Sequence, residues 1–365
     1  MLAGNMRTTS RTAAAGADAG SDGPSRISAA DRYRGYVDPW DQQELAWRGL
    51  SDDDGALVRA DGGGYPVRGG VARFVTNRDP VDDGILDRLG VPRASGGEAQ
   101  SQKSVDSFGF QWTWDNNPRT EEDLVWRVAE RFGLSPSAFA GRRVLDAGCG
   151  AGAQSRFLAN AGAAVSAVDL SSAINSAARL PELRRARLAQ ADIAHLPFPP
   201  ASFEIVYCEG VLQHTAAIEP ILAEFARVLQ PGGILLATHY LSPRGVLRRA
   251  RWTAQEWLRG HAQRMPRDWL FLASGLAAAA ALSPGMGWLL RKTIVPCNPR
   301  MLNLKATWSN VYDSYGQHSF QRVLPADQFV ATVRNAGFSR IDTPEDGVVR
   351  AEKQHPGADQ AAGAG

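Results

Sequence analysis

Three cysteines in 365 residues leave little with which to staple the chain or to hold a metal. Cys149, Cys208 and Cys297 form no CxxC pair and are odd in number. A disulfide framework and a thiolate metal site are excluded, no metal is expected, and a reducing cytoplasm is the natural compartment. A charge bias is missing as well, since 40 Lys and Arg face 38 Asp and Glu for a net +2. No electrostatic case for nucleic acid can be built on that balance. Also absent is a long apolar run. The longest, Trp269 to Leu282, has fourteen residues and stops at Ser283-Pro284-Gly285, whereas a spanning helix needs about 20. That leaves contact with a membrane surface open but not a crossing. Arg7 and Arg11 are followed by small and polar residues where a secretory leader requires an apolar core, so none is expected.

What the chain does have is 44% hydrophobic residues against 21% charged, enough for a sizeable core. Its length suits one large domain with additions, or two domains. Residues 1–30 and 355–365 lack large apolar side chains and are expected to be disordered. Residues 31–92 read as a small β-rich appendage, with Tyr33, Tyr36, Trp40 and Trp47 packing on something and short strands at 56–59, 65–67 and 71–75 joined by glycine turns. Residues 93–107 read as a linker. The aromatic stretch Phe108 to Trp114 follows, with Trp112 and Trp114 as core anchors or pocket walls. Thr120 with Asp123 then opens a helix carrying Leu124, Val125, Val128 and Phe132 on one face.

From Arg143 strands and helices alternate: strands at 144–145, 164–168, 186–191, 203–208 and 234–238, and helices at 154–161, 172–180 and 220–229. That rhythm predicts an α/β fold with a mostly parallel sheet and helices on both faces. It breaks at 241–324, which predicts a helical insertion after the fifth strand. It resumes with a helix at 326–335 and strands near 338–342 and 348–352. The insertion should sit above the carboxyl edge of the sheet, where open α/β folds bind ligands.

The chemistry-bearing motif is Asp146-Ala-Gly148-Cys-Gly150-Ala-Gly152, a strand running into a glycine loop and then a helix. Glycines let backbone approach a ligand closely, and helix amides can face an anion. Its G-x-G-x-G spacing differs from the G-x-G-x-x-G of dinucleotide sites, which argues against a nicotinamide oxidoreductase. Asp169 and Leu170 end the second strand, where a carboxylate can take ribose hydroxyls. Asp192 and Ile193 follow the third, and Glu209 and His214 lie after the fourth.

In order and spacing these motifs resemble class I S-adenosylmethionine-dependent methyltransferases, most closely the ubiquinone/menaquinone-biosynthesis-like group, over about residues 140–240. The resemblance implies a Rossmann-like seven-stranded sheet within a domain spanning 108–354. It implies S-adenosyl-L-methionine as cofactor, with Gly148, Gly150 and Gly152 shaping the methionine pocket. Asp146 would orient the loop or the cofactor ammonium, Asp169 and Leu170 would meet ribose, and Asp192 and Ile193 would meet adenine. Cys149 and Glu209 are counted with them. Cys149 and Cys208 are packing residues rather than nucleophiles, since methyl transfer forms no enzyme adduct. The phrase Tyr65 to Val71 is similar to the small β domain of methyltransferase activators, but the cysteine pairs that hold zinc there are absent.

The expected reaction is methyl transfer to a small-molecule acceptor such as a sugar, quinone-like ring, secondary metabolite or lipid-linked intermediate, as O-methylation. His318, His214 and Tyr312 are the candidate catalytic groups, with His239, Tyr240 and Tyr315 behind them. The apolar, arginine-flanked insertion reads as a helical cap, or as the seat of a hydrophobic acceptor bearing an anionic group. A non-catalytic cofactor-binding adaptor is the competing class, and the intact glycines and Asp169 argue against it. Nucleic-acid methylation lacks its Asn/Asp-Pro-Pro-aromatic signature after the fourth strand.

Overall fold

The computed structural model describes residues 28–75, 79–94, 106, 109–111, 114, 120–295, 303–316 and 321–355. Its centre is one sheet of eleven strands in the order β1-β2-β3-β4-β7-β6-β5-β8-β9-β11-β10. The strands are β1 (Ala46–Gly49), β2 (Gly55–Val58), β3 (Gly64–Arg68), β4 (Val71–Arg73), β5 (Arg143–Ala147), β6 (Ala164–Asp169), β7 (Arg187–Gln190), β8 (Phe203–Cys208), β9 (Leu229–Thr238), β10 (Phe338–Asp342) and β11 (Val348–Lys353). Strands β4 to β9 pair in parallel, while β11 runs antiparallel to both β9 and β10.

The helices follow from local signals. They are α1 (Ala29–Tyr33), α2 (Pro80–Leu89), α3 (Glu121–Val128), α4 (Ala153–Asn160), α5 (Ile174–Ala177), α6 (Glu219–Val228), α7 (Val246–Ala262), α8 (Arg267–Leu282), α9 (Met286–Thr293), α10 (Leu304–Tyr315) and α11 (Ala326–Asn335). The Thr120 side chain caps α3 by accepting from the Asp123 amide, as the sequence predicts. The pleat of the parallel strands divides the core in two. Leu145, Ala147, Val206 and Leu235 pack on one side with Phe225 and Phe329 of α6 and α11. Val144, Ile205, Tyr207 and Leu236 pack on the other with Phe132 and with Phe157 of α4.

Strand count is the main departure from the sequence reading. The seven strands β5–β11 are present, but β1–β4 extend the same sheet. Strand β4 pairs in parallel with β7 through Val71 with Leu188, Ala72 with Ala189 and Arg73 with Gln190. Pairing covers an edge that β7 would otherwise leave with unpaired amides and carbonyls. The Tyr36 hydroxyl donates to the Leu188 carbonyl at 3.2 Å, and its ring stacks on Phe198 at 5.4 Å. Helix α2 was not anticipated. Asp79 caps it by accepting from the Val81 amide, and Gly90 closes it in the left-handed region. Ser28 caps α1, so residues 28–30 are ordered although they fall in the stretch expected to be disordered. The disorder expected at 1–27 and 356–365, and most of the 93–107 linker, lie outside the described residues.

The insertion after β9 is helical, as expected, and consists of α7 to α10. Its two ends are pinned together: Leu241 bridges Leu324, the Ser242 amide donates to the Leu324 carbonyl at 2.8 Å, and the Leu324 amide donates to the Tyr240 carbonyl at 3.1 Å. The excursion therefore leaves and rejoins the sheet at one point.

Candidate cofactor and acceptor site

The strand order reverses at β5, with β6 on one side and β8 on the other. The loop leaving β5 therefore opens into a crevice. Gly148, Gly150 and Gly152 all adopt positive φ, at 85°, 53° and 88°. At Gly148 a Cβ would lie 2.3 Å from a Val211 methyl, and at Gly152 2.7 Å from the Ala177 Cβ. Only glycine lets this loop fold so tightly against the β8 loop and α5. The Gly148 and Cys149 amides both donate to the Val168 carbonyl, at 2.7 and 3.0 Å. Helix α4 starts straight after Gly152 with no side-chain cap, so its first-turn amides remain for an anion such as a carboxylate.

Asp169 faces this loop. One carboxylate oxygen accepts from the Gly150 amide at 2.8 Å, and the other from the Ser171 amide and hydroxyl at 2.8 and 2.6 Å. A carboxylate has about four acceptor positions, so room is left for one more donor. A grip on two ribose hydroxyls requires Ser171 or Gly150 to yield. Burial raises the Asp169 pKa while the Ser171 and Gly150 bonds oppose the shift.

Asp146 is 2% exposed and accepts from the Ser155 hydroxyl at 2.5 Å. Burial pushes its carboxyl up to about 7, the Ser155 bond works against this, and the negative charges of Asp169 and Glu209 add to it. Cys149 and Cys208 are buried free thiols, as packing residues should be. Leu170 is half-buried beside Asp169, its carbonyl accepting from Gln190 at 3.1 Å. Ile193 is buried, and Asp192 accepts the Ala194 amide at 2.9 Å.

Glu209 sits in a network that the sequence reading missed. It accepts from Arg127 at 2.9 Å, Arg131 at 3.0 Å and Gln154 at 3.4 Å. Arg127 also holds Asp123 at 2.8 Å. The spacing of 123, 127 and 131 was the available signal, because it places three charges along one helical face. Glu209 is thus fixed beside the start of α4.

A cavity of about 480 Å³ opens at the carboxyl end of β9, walled by His239, Tyr240, Arg248, Arg259, Tyr315 and Asp346 among others. His214 meets the Tyr240 ring edge-on at 5.9 Å. His239 is buried, and burial lowers its pKa. Its Nδ1 lies 2.8 Å from the Tyr240 carbonyl, which can only accept, so Nδ1 carries the proton and Nε2 is an acceptor in the neutral ring. Tyr312 is fully buried on α10 against Phe110 and Phe271 and does not line the cavity. His318, Trp112 and Phe108 lie outside the described residues. Trp114 packs on Phe271 and Trp308 of the insertion, at 4.7 and 5.1 Å, rather than on the glycine loop. Gly109 passes so close to Ser172 that a Cβ would lie 2.7 Å from its hydroxyl. The aromatic segment therefore bridges the Asp169 loop and the helical insertion.

The family profile described as a methyltransferase domain matches residues 145–237. The chain carries a class I methyltransferase domain. It is 37% identical over 128 residues to a demethylmenaquinone methyltransferase of Tropheryma whipplei, covering 34% of this chain and 51% of that protein. It is 40% identical over 100 residues to a malonyl-[acyl-carrier protein] O-methyltransferase of Enterobacter lignolyticus, covering 26% and 38%. The chain spans about half or less of the length of these relatives. A solved putative methyltransferase of Bacillus halodurans shares 18% identity over 56% of this chain and 66% of its own, with a TM-score of 0.37. The matched residues run from within the glycine-loop strand β5 to within β9, and α7 to α10 lie outside them.

Proposed function

We propose that this protein transfers a methyl group from S-adenosylmethionine to a hydroxyl of a small-molecule acceptor. The observation that carries this reading is the strand–glycine loop–helix unit at the sheet's switch point, with Asp169 bonded to Gly150 across it. The residues fit the cofactor. Uncapped α4 amides suit its carboxylate, the carboxyl oxygens of Asp146 and Glu209 are suited to accept from its ammonium, and Ile193 offers an apolar wall for adenine. When bound, S-adenosylmethionine supplies a methyl already activated on a sulfonium.

The protein's task is then alignment and exclusion of water. The insertion roofs the cavity beside β9 and selects the acceptor, with Arg248 and Arg259 suited to an anionic group. A hydroxyl acceptor must lose a proton, and we assign the base to His214 on the loop after β8, whose ring meets Tyr240, a wall of the cavity. His318 is the second candidate to be tested, and Tyr312, buried on α10 away from the cavity, drops out of the catalytic set. Calorimetry with S-adenosylmethionine, followed by an acceptor screen with labelled methyl donor, tests the reading. A folded protein that binds no S-adenosylmethionine overturns it.

A further inference from the structure

Helix α8 is apolar on both sides. Leu270, Ser274, Ala278 and Ala281 are buried against α10 and its neighbours. Trp269, Leu272 and Leu276, at helical spacing on the opposite side, are 65%, 54% and 74% exposed. A water-facing helix ordinarily puts polar residues there. The pattern continues into α9, where Met286, Trp288 and Leu289 are all more than half exposed. No charged residue occurs from Trp269 to Leu290, and the stretch is broken by Ser283-Pro284-Gly285. Among the described residues no helix is long and apolar enough to cross a membrane.

Charge completes the pattern. Residues 241–295 carry nine Arg and Lys against two acidic residues, Glu256 and Asp268, although the whole chain has a net charge of only +2. Arg264 and Arg267 precede the uncharged stretch, and Arg291 and Lys292 follow it. Exposed tryptophan and leucine edged by cations, on helices too short to span, is the chemistry of a segment lying in the plane of a lipid interface. A contiguous apolar surface of this kind is rare on a protein that meets only water.

We propose that α8 and α9 dock this protein on the surface of an anionic lipid bilayer, Trp269, Leu272, Leu276 and Trp288 entering the headgroup region and the flanking cations meeting acidic lipids. This property goes beyond methyl transfer and stands without it. The test is flotation of the full chain with phosphatidylcholine vesicles, with and without about a third of phosphatidylglycerol. Wild-type protein is expected to float with the anionic vesicles, and to do so less as salt is raised. Leu272→Glu with Leu276→Glu should reduce the floating fraction by about tenfold or more, and Arg264→Glu with Lys292→Glu should weaken it. These side chains are exposed, so both variants should keep the wild-type melting temperature. The proposal is overturned if wild type stays unbound on anionic vesicles, or if both variants float as wild type does. It is also overturned if the face instead joins two copies, seen as a wild-type dimer that the glutamate pair dissolves.

Discussion

At the residue scale two carboxylates, Asp169 and Asp146, stand beside the glycine loop, and each makes a distinct prediction. Asp169 bonds both Gly150 and Ser171. Asp169→Ala should lose about 1.5–3 kcal/mol of S-adenosylmethionine affinity, the cost of removing hydrogen bonds to a charged group. Calorimetry on a folded mutant reads it, and unchanged affinity would remove Asp169 from the ribose site. Asp146 is perturbed differently, since its folded pKa lies near 7 against an ordinary 3.8. The unfolded chain releases that proton first, so this group favours the folded state below pH 3.8 and loses that contribution as pH rises to about 7. Asp146→Asn keeps the side chain's size and should flatten this part of the stability curve, by up to about 1.4 kcal/mol per pH unit. Denaturant melts between pH 4 and 7 check it, and identical curves for wild type and mutant would mean that Asp146 stays ionised. For proton removal, His214→Ala should lower turnover by about 10²–10⁴-fold with cofactor affinity kept. The same substitution at His318 is its companion, and whichever imidazole is the base should also lose the acidic limb of the pH–rate profile.

Elements position these residues, and two of them invite cutting or filling. Adding one methyl at Gly148 forces a positive-φ backbone on an L side chain and drives it into Val211. Gly148→Ala should cost about 1–2 kcal/mol from the backbone alone, and more of the cofactor affinity than of the fold. Equal losses in melting temperature and affinity would mean that the loop is merely structural. The insertion is the second case. Because Leu241 and Leu324 are already paired, a short linker joining Tyr240 to Pro325 bridges a gap that the fold has closed. The excised protein should bind S-adenosylmethionine but turn over poorly, since the cavity loses the Arg248, Arg259 and Tyr315 walls. Loss of cofactor binding in a still-folded protein would place the insertion in the nucleotide site instead. Gln111, which donates to Asp313 at 3.1 Å, joins the aromatic segment to that insertion.

The eleven strands, N-terminal ones included, form one continuous sheet, which has a consequence for stability. Tyr36, from the N-terminal segment, is fully buried against Phe198 and bonds the β7 backbone. Tyr36→Ala should cost about 3–5 kcal/mol, as for other buried aromatics, and should lower one cooperative transition. Two separate melting steps, with only the smaller affected, would mean that the N-terminal strands fold by themselves.

Much of this was legible in the sequence because it is local. The 2- and 3.6-residue periods after Arg143 reflect strands and helices that bury one face or both. The glycine loop, Asp169 and Asp192 are legible because a strand end followed by a tight turn has few solutions. The four-residue β1, by contrast, has three exposed residues and carries no strong period, and helix α2 carries Gly84 at its middle, which weakens the helical pattern. The joining of β4 to β7 depends on residues more than a hundred positions apart, and no local pattern encodes it. The Arg127 and Arg131 clamp on Glu209 is likewise a meeting of distant segments. Sequence alone determined the α/β class, the cofactor loop and the helical insertion, since each is written in neighbouring residues. Only the tertiary structure decided the eleven-stranded sheet, the burial of Tyr312 away from the cavity and the exposed face of α8, because burial is set by what packs against a residue and not by what precedes it.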